Sequence, residues 1–540
     1  MKKNRHLAVV MIERNLQMKS SKKLISIIFV LCLTVVITAC SSSNEGGKSS
    51  KEFSTKGTTL VYGSDDYTRI NPAIDEHGEI NALLFDGLTD HDENNHIVPG
   101  LAKSWDYKKS THTYIFHLRK DVKWHDGKDF TAEDVKFTIE KIMDPKNESE
   151  IRSNYEDIKK IEVMNDHTIS FTLKNLNVAF LEYMTIGILP KHLLENEDMQ
   201  SSNYFKFPIG TGPYKMKKWD EGQSIILVKN KNYYKGSPKI DNVVFKITKD
   251  DRVQSMQLKT GELDLALVTP TLAQQFKNDD KFTLHTMETA DYRGVMYNFN
   301  KPFWQKNKIL IKAFNYAFNR EAMLKTVLLN EGEVAYGPLQ KNKYNDKSGE
   351  KYKYNPHKAK QIIEAAGWKM GHDGYYQKDG QRLSFELSTK ENEQERIDLA
   401  NMAAQNLKEI GVECKVNITS NIDWENQDAF LIGWGSPFDA DDHTYKVFVT
   451  DQGNNYNYYS NANVDKYLVL ARQTANQSMR AKYYQEFQKA LTNDPPYSFL
   501  VYLDANYVAS THISGISDKT VLGHHGVGIF WNIEEWSIAK

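Results

Sequence analysis

The chain has 540 residues, and its 69 Lys and Arg residues nearly balance 70 Asp and Glu residues, giving a formal net charge of −1. This balance argues against nucleic acid as the main partner, because proteins that bind nucleic acid present a strongly basic surface. The length exceeds what one hydrophobic core usually covers, so two or three domains are expected. Aromatic residues make up 11% of the chain, which favours a protein whose side chains line a pocket.

The first predicted element is a secretory signal peptide over residues 1–39. The basic pair Lys22 and Lys23 precedes an apolar run over 24–36, and small residues lead to Cys40. A basic region, an apolar region shorter than a membrane span and small residues before a cleavage site are typical of such peptides. The sequence "VITAC" has the form of a lipobox, which predicts a diacylglyceryl group on the Cys40 thiol. A plain signal peptide or a short anchor with an incidental cysteine is the alternative.

Residues 40–57 are expected to be the lipidated cysteine and a flexible tether, because this stretch is rich in Ser, Gly and Lys. Two acyl chains hold a protein stably at a membrane, whereas a single chain holds it only marginally. The folded part is therefore expected at the extracellular face of the cytoplasmic membrane. Met18 directly precedes the basic pair, so residues 1–17 are expected to be an upstream mis-start.

Cysteine usage leaves one thiol in the folded part. Cys32 leaves with the signal peptide, Cys40 carries the lipid, and Cys414 has no cysteine to pair with. An intramolecular disulfide and a cysteine-rich zinc site are therefore excluded. We expect Cys414 to be a buried small hydrophobic residue.

Strands and helices alternate along the rest of the chain. Residues 111–120, 167–175 and 242–250 alternate apolar and polar side chains, which predicts strands. Residues 131–143, 319–332 and 355–368 have helical spacing between clear start and stop signals. This mixture through the whole length predicts an α/β fold.

The helix signals are specific residues at the predicted ends. Thr131 is the expected N-cap of the first of these helices, with Asp134 three residues later. Asn319 begins the second, which is expected to end near Gly332. In the third, Asn355 is the expected N-cap and Gly367 the stop.

Residues 100–142, "GLAKSWDYKKSTHTYIFHLRKDVKWHDGKDFTAEDVKFTIEKI", resemble the signature segment of the peptide/nickel-type (family 5) solute-binding proteins of ABC importers. Further blocks follow in the order of that family, among them "INPAI", "IGTGPYKM", "KTGELDLA" and "DPPYSFL". The resemblance covers essentially everything after the tether. In "WHDG", His125 precedes an Asp-Gly turn signal, which favours a structural histidine over a ligand.

The resemblance implies a two-lobed, periplasmic-binding-protein-like α/β fold of the large class, with an extra subdomain, mixed sheets and a hinge between the lobes. Lobe I is expected over 58–268 with a return over 505–540, and lobe II over 269–504. A solute that touches both lobes stabilises the closed state, which a membrane permease then recognises. The implied partners are ABC permease and ATPase subunits, and the implied state is a monomer without an intrinsic cofactor.

The stretch "IGWGSPFDADDHTYKVF" at 432–448 is expected to form a wall of the pocket, with Trp434 and Phe438 against the ligand. Peptide-binding members place an aspartate three residues after the tryptophan, where this chain has Pro437. Its "WGSPFD" looks like the Trp-Gly-x-Pro-aromatic-Asp pattern of nickel-binding members, so that branch is favoured. The alternative is an oligopeptide- or dipeptide-binding protein, in which one of three aspartates holds the peptide ammonium: Asp439, Asp441 or Asp442.

A nickel chelate needs imidazole nitrogens and cations for its carboxylates. The matching segment 447–457 has no histidine, and the family's clamping arginine falls near Ile188. Replacement metal ligands are His443 in the wall and the pair His524 and His525; the alternatives are a structural histidine and a solvated loop pair. Three arginines are possible clamps for the carboxylates: Arg152, Arg293 and Arg396.

No enzyme class has comparable support in the sequence. The motifs of zinc proteases, serine hydrolases, nucleotide-binding loops and dinucleotide-binding folds are absent. Asp439 and Asp442 resemble a carboxylate pair for glycoside chemistry, but the family resemblance outweighs them. We therefore expect a lipid-anchored protein that captures a nickel or similar transition-metal chelate, such as nickel with histidine. A sensor or pheromone receptor of the same fold is a third possibility.

Overall fold

The computed structural model describes residues 57–74, 78–248, 250–347 and 351–539. The predicted signal peptide, Cys40 and the tether up to residue 56 lie outside these ranges. Within them, no helix combines the length and the apolar character that crossing a bilayer requires.

The described elements mix strands and helices throughout. The strands in the first half are β1 (Thr59–Ser64), β2 (Thr89–His91), β3 (Ile97–Pro99), β4 (Ala102–Lys108), β5 (Thr113–Leu118), β6 (Ile158–Asn165), β7 (Thr168–Leu173), β8 (Tyr214–Asp220), β9 (Ser224–Lys229), β10 (Asn242–Ile247) and β11 (Leu265–Val268). The remaining strands are β12 (Phe282–Tyr297), β13 (Gly332–Val334), β14 (Lys369–Met370), β15 (Tyr376–Lys378), β16 (Gln381–Arg382), β17 (Ser384–Lys390), β18 (Glu413–Thr419), β19 (Ala429–Trp434), β20 (Tyr497–Ser510), β21 (Ile513–Ser514) and β22 (Ser537–Ile538).

The helices are α1 (Asn81–Leu84), α2 (Ala132–Met143), α3 (Phe180–Tyr183), α4 (Lys191–Leu194), α5 (Asp251–Thr260), α6 (Pro270–Ala273), α7 (Pro302–Lys306), α8 (Ile309–Ala317), α9 (Arg320–Thr326), α10 (Pro356–Ala365), α11 (Gln394–Glu409), α12 (Asp442–Phe448), α13 (Ala462–Arg472) and α14 (Gln477–Asn493). Short 3₁₀ turns occur at Pro145–Asn147, Arg152–Asn154, Asn203–Lys206, His524–Gly526 and Ile529–Glu535.

The predicted strands and helix starts are confirmed. The three alternating segments form β5, β7 and β10. At the start of α2, Asp134 accepts a hydrogen bond from the Thr131 backbone N–H at 2.9 Å, which completes a capping box. At the start of α10, Asn355 accepts one from the Lys358 N–H at 2.9 Å, and Gly367 follows its end with a φ of 87°.

The helix predicted to end near Gly332 is shorter than expected. It starts with the Asn319 cap, but α9 ends at Thr326. Leu329 and Asn330 adopt left-handed backbone angles, with φ of 53° and 66°, which a continuing α-helix does not allow. The turn they form brings Leu328 into the core, where its side chain is 1% exposed.

An eleven-stranded mixed sheet organises the molecule. Its order is β18-β17-β19-β12-β20-β11-β1-β10-β9-β8, with β13 also paired to β20. The pairs β1–β10, β1–β11, β17–β18 and β17–β19 are parallel, whereas β12 and β20 run antiparallel to each other and to their outer neighbours. A separate antiparallel sheet has the order β4-β5-β7-β6.

Two large hydrophobic cores lie along this sheet. The first core contains side chains between 60 and 265 and between 505 and 536, together with Met287. The second core contains side chains between 292 and 503. The long strands β12 and β20 contribute to both cores, so they cross from one to the other. The exact bounds of the two lobes remain a prediction.

The pairing of β12 with β20 is irregular where they cross between the cores. Glu288 pairs with Asp504 and Tyr292 with Tyr502, so three residues of β12 face one residue of β20. An insertion of this kind is a β-bulge, which bends the strand and redirects side chains. The bulge over 289–291 positions the site described next.

Candidate functional site

The carboxyl ends of the parallel strands mark the region where a ligand is expected. In open α/β sheets, ligands bind beyond these ends. Ser64 at the end of β1 pairs with Ile247 at the end of β10, and β17 and β19 run parallel in the second core. Asp65 and α5 follow the first pair, whereas α11 and the predicted wall follow the second pair.

Charged residues from both cores influence one another at these ends. Partial desolvation raises the pKa of Asp65, which also senses Lys390 and Glu393 of the second core. The pKa of Asp251 is raised to about 6 by desolvation and by the carboxylates of Asp65, Asp250 and Glu395. The charged side chains after β1, β10 and β17 therefore lie near enough to influence one another at the boundary between the cores.

A loop over 522–528, here called the histidine loop, docks on the β12 bulge. The Ala290 N–H donates to the Leu522 carbonyl at 2.9 Å, and Thr289 forms a parallel bridge with Leu522. This docking places His524 and His525 beside the bulge.

Asp291 connects the bulge to the histidine loop. Its side chain is 1% exposed, and it accepts hydrogen bonds from His524 Nδ1 at 2.8 Å and from the His525 N–H at 3.0 Å. Arg293 Nη1 donates to it at 2.5 Å. Burial alone would raise the pKa of Asp291, but Arg293 and His524 hold it well below its usual range. The carboxylate is therefore ionised and can only accept.

The segment 432–448, here called the wall segment, begins with two glycines that this packing requires. A Cβ on Gly433 would lie 2.3 Å from Arg293 Nη1, and one on Gly435 would lie 2.0 Å from the Ala290 carbonyl oxygen. Between them, Trp434 is 5% exposed. Its ring lies 5.6 Å from that of His443 and 5.9 Å from that of His524. The structure thus brings three predicted site residues together.

The three histidines of this group have different surroundings. His443 is 9% exposed, and its Nδ1 accepts a hydrogen bond from the Gly435 N–H at 3.1 Å, which favours the structural interpretation. His525 is exposed and has a left-handed φ of 57°. The pKa of His525 is well below its usual value because of desolvation and the nearby His524 and Arg396. An unprotonated imidazole is the form that binds metals.

Two of the three predicted arginine clamps lie in this group. Arg293 is buried and pairs with Asp291 and, at 3.1 Å, with Glu395. Arg396 is 5% exposed, and its Nε lies 2.5 Å from a carboxylate oxygen of Glu393. Arg152 is half exposed on its 3₁₀ turn, where it forms a loose ion pair at 3.8 Å with the adjacent Glu156.

The part of the wall segment over 438–442, here called the downstream half, contacts the first core instead. The Phe438 ring stacks on His91 of β2 with ring centroids 3.8 Å apart. His91 Nε2 in turn contacts Glu182 of α3 at 2.8 Å. Phe438, predicted as a pocket wall, is thus covered on one face by the opposite core.

The aspartates of the downstream half have cationic neighbours. Asp439 forms a two-pronged pair with Arg480, at 2.6 and 2.5 Å. Asp441 is fully buried, binds Arg472 at 2.6 Å and accepts a hydrogen bond from the Tyr183 hydroxyl of the first core. Lys446 lies 3.6 Å from Asp442.

Several site residues were not predicted from the sequence: Asp65, Asp251, Asp291, Glu393 and Glu395. The sequence contains a signal for one of them, Asp291. Together with Arg293 it places two opposite charges in a mostly apolar strand, because the residues after Asp291 read "YRGVMYNF". His125, predicted to be structural, accepts from the Gly210 N–H at 3.1 Å and contacts the Gly212 carbonyl at 3.0 Å. Within the described ranges, no three His, Cys, Asp or Glu side chains are grouped so as to hold a metal ion.

Comparison with known proteins gives a family and solved relatives. The family model "Bacterial extracellular solute-binding proteins, family 5 Middle" matches residues 96–456. The oligopeptide-binding protein AppA of Bacillus subtilis is 31% identical over 556 residues, covering 97% of this chain and 99% of AppA.

Two solved structures resemble the fold over most of their length. NikZ from Campylobacter jejuni in complex with Ni(L-His) is 41% identical with a TM-score of 0.85, over 89% of this chain and 99% of NikZ. AppA from Bacillus subtilis in complex with a nonapeptide is 30% identical with a TM-score of 0.81, over 90% of this chain and 99% of AppA. These matches confirm the predicted two-lobed α/β fold with mixed sheets.

Proposed function

Because this chain belongs to family 5 of the bacterial extracellular solute-binding proteins, we propose that it captures a nickel chelate, such as nickel with histidine, for an ABC importer. The relatives are substrate-binding proteins of ABC importers, and the prediction that the chain is not an enzyme is confirmed. Proteins of this family work with permease and ATPase subunits and bind peptides or metal chelates.

The observation that carries the nickel proposal is the histidine loop beside Trp434. The rings of His524 and His525 lie with centroids 3.9 Å apart and are tilted by 44° to each other, and His525 is exposed to solvent. Nickel favours imidazole nitrogen among protein ligands. The 41% identity with NikZ, solved with Ni(L-His), supports the same cargo. A chelator such as histidine would supply the ligands that two imidazoles do not.

Arg396 is the arginine we propose for the carboxylate of the chelate. It lowers the pKa of His525 through its charge, so the two side chains lie near each other. A carboxylate bound there would compete with Glu393, which already pairs with Arg396. Arg293 is the weaker candidate, because Asp291 and Glu395 both pair with it.

A peptide is the second candidate cargo, favoured by the identity of 31% with AppA. Its difficulty lies in the ammonium partner. Asp439 and Asp441 are each paired with a buried arginine, Arg480 and Arg472, so neither offers an open carboxylate. In the peptide case, Asp65 and Asp251 at the boundary between the cores replace them as the proposed acceptors of the ammonium group.

Two further parts of the proposal concern movement and location. We propose that the two cores correspond to lobes I and II, with the crossing strands β12 and β20 as the hinge. Closure around the cargo would then be stabilised by contacts from both lobes. We also propose that two acyl chains on Cys40 anchor the protein at the outer face of the cytoplasmic membrane.

Native mass spectrometry of the chain from Lys51 onward tests the cargo. This fragment contains the whole compact unit Thr55–Lys540. The protein is offered nickel with excess histidine and, separately, a mixed pool of peptides. We expect a mass increment equal to nickel plus histidine that disappears on addition of EDTA. A ladder of peptide masses that does not depend on metal would replace the nickel proposal with the peptide one.

A further inference from the structure

Asp291 is a buried carboxylate at the point where β12 crosses between the cores. It lies inside the bulge, where its own N–H donates to the Thr289 hydroxyl at 2.9 Å. Its two oxygens accept from the His524 ring, the His525 N–H and Arg293. One side chain therefore holds both residues of the histidine pair.

The contact with His524 determines which ring nitrogen can bind a metal. Arg293 and a backbone N–H both donate to Asp291, so the carboxylate is ionised and acts only as an acceptor. His524 Nδ1 must then carry the proton, and the lone pair of the neutral ring lies on Nε2. Metal-binding histidines commonly donate their second ring N–H to a carboxylate, which fixes the ring and raises its basicity.

The contact with His525 acts on the backbone. A non-glycine residue with positive φ is energetically costly and persists only where its surroundings enforce it. His525 has a φ of 57°, and its N–H donates to Asp291 at 3.0 Å. This hydrogen bond holds the backbone in the conformation that leaves the ring exposed.

We propose that Asp291 is a positioning residue that fixes the His524 tautomer and the His525 backbone, so that both imidazoles are preset to bind the metal of the cargo. This inference rests on the proposed function and adds to it a residue that acts through the two histidines and does not itself bind the metal. Arg293 donates to Asp291, which itself lies in the bulge.

The test compares Asp291→Asn with the wild type and with His524→Ala in the chain from Lys51 onward. Titration calorimetry with nickel and excess histidine measures affinity. We expect Asp291→Asn to weaken binding about 10–100-fold, the range typical of residues that support metal ligands. If Asp291 acts through the histidines, adding Asp291→Asn to the double variant His524→Ala/His525→Ala costs at most about twofold more. Cargo-free protein labelled with ¹⁵N-histidine should show an Nδ1–H signal that His524→Ala removes.

Asp86→Asn is the matched control, because Asp86 is also a buried carboxylate and accepts from Tyr233 and Thr211 in the first core. We expect its nickel–histidine affinity to equal that of the wild type. If Asp291→Asn does not fold, Thr289→Val replaces it; it loosens the bulge and should weaken binding severalfold.

The outcomes separate this inference from the proposed function. Wild-type protein that binds nickel–histidine, with Asp291→Asn or its replacement unchanged in affinity, overturns the positioning role alone. An Nδ1 without a proton in the cargo-free wild type overturns it as well. Wild-type protein that binds no nickel–histidine overturns the proposed function, and the role of Asp291 toward a metal falls with it.

Discussion

The two halves of the wall segment differ in both composition and surroundings: the upstream half is Gly-Trp-Gly, whereas the downstream half contains three aspartates. The upstream half, 433–435, packs on the β12 bulge and the histidine loop, where the Trp434 ring lies 5.9 Å from that of His524 and the charge of Arg396 acts on the exposed His525. In the downstream half, Asp439 forms an ion pair with Arg480, and Asp441 forms one with Arg472. The upstream half thus lies beside the histidine pair that the proposed function needs, whereas the downstream half uses its charges in internal pairs and in a contact with Tyr183 of the first core.

The largest expected effect is in the downstream half. Arg472→Met leaves Asp441 fully buried without its cation, and removing one partner of a buried pair typically costs about 3–5 kcal/mol of unfolding free energy. Urea denaturation measures this loss. Arg152→Met breaks the exposed pair with Glu156 and should cost at most about 1 kcal/mol. Equal effects of the two variants would contradict the structural role of the downstream half.

Glu79 makes the attachment of the histidine loop, on which the upstream half packs, dependent on pH. It is 7% exposed and accepts from the Gly528 N–H at 2.9 Å, so it fastens the end of the histidine loop to the first core. Burial raises the pKa of Glu79 from 4.5 to about 7. Between these values the folded state holds more protons than the unfolded state, so stability falls as the pH rises.

The wild type should therefore lose about 2–3 kcal/mol more stability than Glu79→Gln between pH 4.5 and pH 8, since one pKa unit corresponds to about 1.4 kcal/mol. Unfolding free energies of both proteins at a series of pH values measure the difference. Parallel curves would show that Glu79 is not the group responsible.

Gly433→Ala tests the close packing of the upstream half. The new Cβ would lie 2.3 Å from Arg293 Nη1, and overpacking of this kind costs about 1–3 kcal/mol. Gly337→Ala is the control, because its Cβ would have no heavy atom within 4 Å. Melting temperatures compare them, and we expect a clear drop for Gly433→Ala alone.

The smallest change in free energy is expected from His525→Ala. Its side chain is exposed, so stability should change by no more than about 0.5 kcal/mol. Affinity for nickel–histidine should nevertheless fall at least about tenfold, equivalent to about 1.4 kcal/mol. Calorimetry measures it, with Asp439→Asn expected to lower stability instead. The reverse pattern would exchange the roles of the two halves.

Much of the fold could be predicted from the sequence because it depends on near neighbours. Alternation over β5, β7 and β10 and the cap residues Thr131 and Asn355 act within a few positions. The wrong end predicted for α9 reflects tertiary packing that the local pattern does not show, since Leu328, beyond the end of the helix, is buried in the second core. The candidate site was harder to predict than the fold, because residue type alone does not distinguish the paired Asp439 from a carboxylate that is open to a ligand.

The sequence by itself determined the class of fold, the family and the choice of Trp434 and the histidine pair as residues to examine. Only the tertiary structure decided how the charges combine. Asp291 and His524 are 233 positions apart, and Tyr183 and Asp441 are 258 positions apart. Whether a carboxylate binds a ligand or an internal arginine depends on these distant partners, because electrostatic and hydrogen-bond energies act over a few ångströms in space, irrespective of separation along the chain.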